Sequence, residues 1–219
     1  MSDIVIHSLP GSPYGRAVFV VLEEKGAPYR FAPVTARALR AAPHLARHPF
    51  GRVPAIDHGD FSLYETQAIL RYVDRALPGP ALTPADVRAA ARMDQLMNVN
   101  DCYLFQGVAN VIAFQRVVAP RILGLAPDEA AIAAAMPRAH AVFEELANQL
   151  GDQPFFVGDA ITLADVLIAP QMDFLRQTPE WEPLVAKHAN LRAWLGRMNA
   201  RPSMAATTVE RVAAMAQAN

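Results

Sequence analysis

Few residues in this chain are placed to do chemistry, and the first is a serine in a turn, Gly11-Ser12-Pro13-Tyr14. Serine is a preferred helix N-cap and proline suits the first helical position, so Ser12 is expected where a helix begins. A hydroxyl there can cap the helix, or it can donate to an anion drawn by the positive helix end. Tyr14, two residues into that helix, offers a phenol as a rival donor. His44 and His48 lie four apart, a spacing that can put two imidazoles on one helical face. No Glu follows His44 in the metalloprotease pattern, and Pro49 biases His48 away from helical geometry. The pair therefore reads as surface histidines near a helix end, and no metal is expected. Cys102 is the single cysteine, which excludes an internal disulfide and any Cys-x-x-Cys pair.

The elements that must position these residues fall into two halves. Ile4-Val5-Ile6 is a β-branched run ending at the turn Leu9-Pro10-Gly11. A helix opens at Ser12-Pro13 and stops at Lys25-Gly26, with a cation in its last turn and glycine beyond it. Tyr29 to Val34 reads as a strand, which completes a parallel β-α-β unit. Ala36 to Arg47 is a helical stretch interrupted by Pro43. Val53 to Ile56 and Phe61 to Tyr64 flank a His58-Gly59-Asp60 turn and read as a hairpin. Glu65 to Leu77 is again a helix, with Ile69, Tyr72 and Val73 on one face. The order β-α-β-α-β-β-α describes a thioredoxin-like domain over residues 1–78.

Pro78-Gly79-Pro80 and Thr83-Pro84 then punctuate the chain, and the β signal vanishes beyond them. An all-helical domain is expected over 85–219, with helices from about Ala85 to Leu123, Asp128 to Leu150, Leu163 to Gln177 and Leu191 to Ala200. Pro120 should kink or end the first of these. Thr162-Leu163-Ala164-Asp165 is a capping box: Asp165 can reach back to the Thr162 N–H. Hydrophobic residues make up 53% of the 219 and charged residues 19%, which favours a packed core over disorder. A formal net charge of -1 and the lack of a Lys/Arg run argue against a nucleic-acid partner. No apolar run is read as a membrane span, and the Met1-Ser2-Asp3-Ile4 start lacks a secretory pattern, so a cytoplasmic protein is expected.

Three segments together resemble the glutathione transferase family. They are Gly11-Ser12-Pro13-Tyr14-Gly15-Arg16 with Leu22-Glu23-Glu24-Lys25-Gly26; His48-Pro49-Phe50-Gly51-Arg52-Val53-Pro54-Ala55 with Leu63-Tyr64-Glu65-Thr66-Gln67-Ala68-Ile69-Leu70; and the capping box at Asp165. They occur in the family's order and span nearly the whole chain. Serine at the first helix start is most similar to the phi, theta and related bacterial classes.

The resemblance implies that glutathione is bound as co-substrate, without a metal, and that its thiol is activated. A free thiol with a pKa near ~8.5 is only slightly ionised at neutral pH. Lowering that pKa by about two units takes about 2.7 kcal/mol of preferential anion stabilisation. A hydroxyl hydrogen bond to the charged sulfur offers roughly 1.5–3 kcal/mol, and the helix end about 0.3–1 kcal/mol. Ser12 is then sufficient as the catalytic donor, with no base behind it. The resemblance further implies that Val53 offers its backbone to the cysteinyl part beside a cis Pro54. Glu65 would meet the γ-glutamyl ammonium, and Thr66 its carboxylate. The family's His-Lys pair falls on Leu39-Arg40 and its Gln or Lys on Arg52, so Arg40 and Arg52 are the candidates for the glycyl carboxylate. Tyr103, Gly107, Asn110 and Phe114 recur at 4-3-4 spacing, one helical face. With Tyr14, residues Tyr103, Asn110 and Phe114 are the candidate site for a small hydrophobic electrophile. Conjugation leads; a glutathione-dependent peroxidase or dehalogenase would use the same site, and a non-enzymatic binding module is the alternative class. A homodimer is implied by the resemblance.

Overall fold

The computed structural model describes residues 3–217. Four strands form one sheet in the order β2-β1-β3-β4: β1 is Ile4–Ser8, β2 Tyr29–Pro33, β3 Ala55–His58 and β4 Phe61–Tyr64. β1 runs parallel to β2 and antiparallel to β3, and β3 runs antiparallel to β4. The register fixes one row across the sheet: His7 pairs with Ala32, His7 with Ala55, and Ala55 with Tyr64. Ile4 and Ile6 point into the core and alternate with half-buried neighbours, the period-2 pattern expected of a strand.

Helix α1 spans Pro13–Lys25 and α3 spans Thr66–Ala76. Every residue of α1 from Gly15 to Leu22 is buried, and Ile69, Leu70 and Val73 bury the inner face of α3. Between β2 and β3 the expected helix over 36–47 is instead a 3-10 turn, Arg37–Arg40, and the one-turn helix α2, Ala42–Leu45. Pro43 explains the break: lacking an N–H, it serves as the first turn of α2 rather than the middle of a longer helix.

The C-terminal ends of α1 and α3 meet at a buried ion pair. Lys25 Nζ donates to Asp74 Oδ1 (3.2 Å), to the Asp74 carbonyl (3.0 Å) and to the Pro80 carbonyl (2.9 Å). Asp74 also accepts the N–H groups of Leu82 (2.9 Å) and Thr83 (3.0 Å). Burial alone would raise the Asp74 carboxyl; the bonds from Thr83, Leu82 and Lys25 hold it below its ordinary value. Both side chains are almost wholly excluded from solvent. Lys25, read from sequence as a helix-end cation, is thus a structural bolt.

The chain divides into two compact units, one running to Thr83 and including the segment from Ala200 onward, the other Pro84–Asn199. This corrects the sequence boundaries of 78 and 85–219 on two counts. Asp74 ties the linker to the first unit as far as Thr83. Helices α10 (Pro202–Ala206) and α11 (Val209–Gln217) pack on α1 and β2 rather than with the other helices. Polar bonds fix the start of α10: Arg201 donates twice to Glu24 (2.7 Å each), Ser203 donates to the same carboxylate, and Arg16 donates to the Met204 carbonyl (3.1 Å), while Met204 and Val212 are buried.

The second unit contains α4 (Val87–Val99), α5 (Asn110–Ala113), α6 (Glu129–Leu150), α7 (Leu163–Leu175), α8 (Trp181–Val185) and α9 (Ala189–Asn199). π-type turns carry α4 on through Asn100–Ala109 and α5 on through Phe114–Leu123. This 37-residue stretch contains one 18-residue window that reaches a mean hydropathy of 1.2, enough for a membrane span by length and composition only. It also leaves helical geometry at Gln106 and Gly107, and Leu96, Met97, Leu104, Val108 and Ile112 bury into the unit. Pro120 does not end it; the break falls at Gly107, and the helix runs on to Leu123. Asp165, wholly buried, accepts from the N–H of Thr162 (2.9 Å), the Thr162 hydroxyl (2.9 Å), the Phe156 N–H (3.0 Å) and Trp194 Nε1 (2.8 Å). The capping box therefore doubles as a junction of α7, α9 and the preceding loop.

Replacing Lys25 by Met leaves Asp74 buried without its cation and is expected to cost about 3–5 kcal/mol, read by urea unfolding. The folded Asp74 carboxyl lies below its unfolded value, so its stabilisation is complete above an unfolded pKa of about 3.9 and is lost as pH falls through the folded value. Wild type should accordingly lose more stability between neutral and strongly acid pH than Asp74→Asn.

Candidate functional site

The row His7–Ala55–Tyr64 decides where the candidate residues go. One residue beyond His7, β1 ends and the chain turns into α1 at Ser12; Arg52-Val53-Pro54 leads into β3 at Ala55; Glu65-Thr66 leaves β4 after Tyr64. Three connections scattered over more than fifty residues of sequence thus leave the sheet at one end. The structure brings Ser12, Val53, Pro54, Glu65 and Thr66 to that end.

Ser12 is the N-cap of α1 as expected, with extended backbone (φ -74°, ψ 120°) and its Oγ accepting the Gly15 N–H at 3.1 Å. Its hydroxyl hydrogen has no acceptor among the described residues, and the side chain is partly exposed. Cap and donor are therefore compatible: the lone pair serves the helix while the O–H points elsewhere. Gly15 is required by close approach, since a Cβ there would lie 2.0 Å from Ser8 Oγ. That contact presses the first turn of α1 onto the end of β1. Tyr14 is half-buried in the same turn.

The Val53–Pro54 peptide is cis. Pro54 is buried, and no hydrogen bond among the described residues claims the N–H or C=O of Val53. Arg40 and Arg52 are both exposed. Arg40 lies along the loop, its Nη1 3.4 Å and its Cδ 3.3 Å from where a Gly51 Cβ would stand. Two guanidinium groups consequently serve one short stretch of chain. The histidines correct the sequence reading: His44 and His48 are buried rather than on the surface. Their rings stack at 6.4 Å, and His44 Nε2 is committed to the Arg52 carbonyl at 2.7 Å. His48 packs on Tyr64 (4.8 Å between centroids). Burial lowers the His48 pKa, and the neighbouring Glu65 carboxylate offsets this only in part.

Glu65 is the only described non-glycine residue with positive φ (70°, ψ 116°), and it is exposed at the start of α3. Such a backbone costs about 1–3 kcal/mol and persists where surrounding structure enforces it, commonly at functional sites. Thr66 follows as the first helical residue and is buried. A carboxylate, a hydroxyl and the N-terminus of α3 therefore sit together, a combination suited to a ligand that carries both an ammonium and a carboxylate.

The candidates in the second unit do not share one continuous helical face. Gly107 (φ 82°) breaks the helix between Tyr103 and Asn110. Asn110 Oδ1 accepts the Gly107 N–H at 2.7 Å and so restarts the helix. Tyr103 lies under the Arg138 guanidinium, 5.8 Å from its ring centre, and Phe114 remains 39% exposed. Sequence reasoning missed the roles of Ser8, His44 and His48. No spacing rule points to a histidine whose partner is a backbone carbonyl, because that carbonyl carries no residue identity.

Comparison with known proteins agrees with this geometry. Residues 6–81 match the model of the glutathione S-transferase N-terminal domain, and residues 107–202 that of the C-terminal domain. The chain is 34% identical to the probable glutathione S-transferase GSTF2 of Oryza sativa subsp. japonica, over 84% of its own length and 85% of that protein's. It is 32% identical to a glutathione S-transferase of Hyoscyamus muticus over 90% and 94% of the two lengths. Among solved structures it is similar to glutathione S-transferase III in apo form (TM-score 0.84, 32% identity, covering 94% and 95% of the two chains). It is also similar to glutathione S-transferase I from maize in complex with an atrazine glutathione conjugate (TM-score 0.83, 26% identity, 99% of each chain).

Glycine at position 65 would relieve the positive φ but add unfolded-state entropy of about 0.5–1 kcal/mol. The net expectation for Glu65→Gly is a gain of roughly 1 kcal/mol in unfolding free energy, measured by chemical denaturation without ligand.

Proposed function

The chain belongs to the glutathione S-transferase family, and from that premise we propose that Ser12 holds the sulfur of bound glutathione as a thiolate for attack on a small hydrophobic electrophile. The observation that carries this reading is the shared sheet end, which gathers Ser12, Val53 and Glu65-Thr66. Their chemistry complements the tripeptide part by part. Glu65 faces the γ-glutamyl ammonium, and Thr66 with the α3 N-terminus receives its carboxylate. The backbone of Val53 pairs with the cysteinyl unit. Arg52, with Arg40 beside it, takes the glycyl carboxylate.

The sulfur then lies near the start of α1, where the uncommitted Ser12 O–H donates to it. One hydrogen bond to an anion and the helix end together supply about 2–4 kcal/mol, enough to ionise the thiol at neutral pH without a general base. The thiolate lone pair forms the new C–S bond, and a leaving group departs with its bonding electrons; at an activated alkene the resulting carbanion takes a proton from water. Serine stays neutral throughout. Tyr14, in the same first turn of α1, is assigned to the electrophile. The atrazine glutathione conjugate in one solved relative and the lactoylglutathione in another support an aromatic or carbonyl-derived partner for the sulfur. A cytoplasmic homodimer with a role in detoxification accords with the family.

The test is turnover of chlorodinitrobenzene by wild type and Ser12→Ala. Removing the donor raises the thiol pKa, so the pH–rate profile should move to higher pH and kcat/KM at neutral pH should fall roughly 10- to 100-fold. Full activity with an unmoved profile would transfer the role to Tyr14 or another donor.

A further inference from the structure

We propose that His44 is a positioning residue for glutathione, acting through the peptide that joins Arg52 to Val53. The proposal rests on the transferase reading and assigns part of its binding energy to a residue outside the ligand's reach. His44 Nε2 lies 2.7 Å from the Arg52 carbonyl oxygen. A carbonyl only accepts, so the imidazole carries its proton on Nε2 and donates. The ring is 95% buried, stacked on His48.

The Arg52–Val53 peptide is trans, since Val53–Pro54 is the only cis bond among the described residues. Its carbonyl and its N–H are held in one plane and point in opposite directions. A donor that pins the Arg52 oxygen therefore also aims the Val53 N–H, the group assigned above to the cysteinyl unit. Withdrawing electron density from the oxygen makes that N–H a stronger donor as well.

The histidine is itself held from behind. It sits on α2, a single turn that cannot fix its own place. Arg47, two residues beyond α2, donates to Asp57 Oδ2 on β3 (3.1 Å) and to the Pro43 carbonyl (3.0 Å). Asp57 is fixed in turn by His7 on β1 (2.7 Å) and by Ser62 on β4 (2.6 Å). Three strands thus brace α2, and α2 aims the peptide. Burial lowers the His7 pKa although the bond to Asp57 opposes this, while the Asp57 carboxyl is held low, against its own burial, by Ser62, His7 and Arg47.

The test compares wild type, His44→Phe and His44→Gln in the full chain. Phenylalanine keeps a ring against His48 and removes the donor; glutamine returns an N–H at similar reach. His44→Phe is expected to raise KM for glutathione about tenfold, with kcat at saturating glutathione within about twofold of wild type. His44→Gln should recover most of that loss. An unchanged KM in a folded His44→Phe protein, or equal losses in both variants, would overturn the proposal. Should His44→Phe fail to fold, the ring nitrogens of 15N-histidine-labelled wild type decide: glutathione-bound protein must show His44 protonated at Nε2, and an Nδ1–H tautomer sinks the idea. Wild type that binds no glutathione at millimolar concentration would remove the transferase reading itself, an outcome distinct from these.

Discussion

One row of paired residues, His7 with Ala55 and Ala55 with Tyr64, sets the geometry on which the site depends. Hydrogen-bond register in a sheet moves in whole residues, and a slip by one would turn every side chain of a strand to the other face. With the row fixed, the turn after β1, the segment before β3 and the turn after β4 must emerge together. The candidate chemistry uses all three. Ser12 needs no long loop to reach its neighbours because the sheet has already placed them, and the Gly15 contact with Ser8 holds the helix that Ser12 caps against the same end.

Apolar packing holds the sheet to α1 and α3, but the surrounding irregular segments are held by buried polar atoms. Lys25 and Asp74 tie two helix ends to the linker. Asp165 joins a helix start, a loop and Trp194. His44 and Asp57 hold the segment between β2 and β3. Backbone groups are most of the partners at Lys25–Asp74 and half of those at Asp165, and His44 takes the Arg52 carbonyl. Irregular chain carries N–H and C=O groups that no ladder satisfies, and burying them unpaired would cost about 1–3 kcal/mol each. One charged or aromatic side chain that collects several of them gives a loop a single conformation where apolar contact alone would leave a choice.

Strand and helix periodicity made much of this legible. The four strands, α1, α3, α6 and α7 follow from β-branched runs, caps and apolar faces, and the Ser12 cap and the Asp165 capping box were visible as local patterns. The short helices escaped because a single turn has too few residues to show a period. Gly107 escaped because a glycine among helix-forming residues is usually tolerated, and only the structure shows it taking up positive φ. Pro120 drew attention instead, yet the backbone absorbs it within π-type turns. Lys25 read as a helix-end cation and His44 as a surface residue, for burial of a charged or polar side chain depends on partners distant in sequence. The positive φ of Glu65 was hidden for another reason: sequence preferences describe relaxed backbone, and this residue is not relaxed.

The attachment of the final segment to α1 and β2 has a bearing on how the protein is made. Arg201 and Ser203, which close around the Glu24 carboxylate, leave the ribosome well after it. The whole of Pro84–Asn199 is translated in between. The first unit to appear is therefore the last to be completed. Until then the surfaces of α1 and β2 that α10 and α11 cover stay open to solvent.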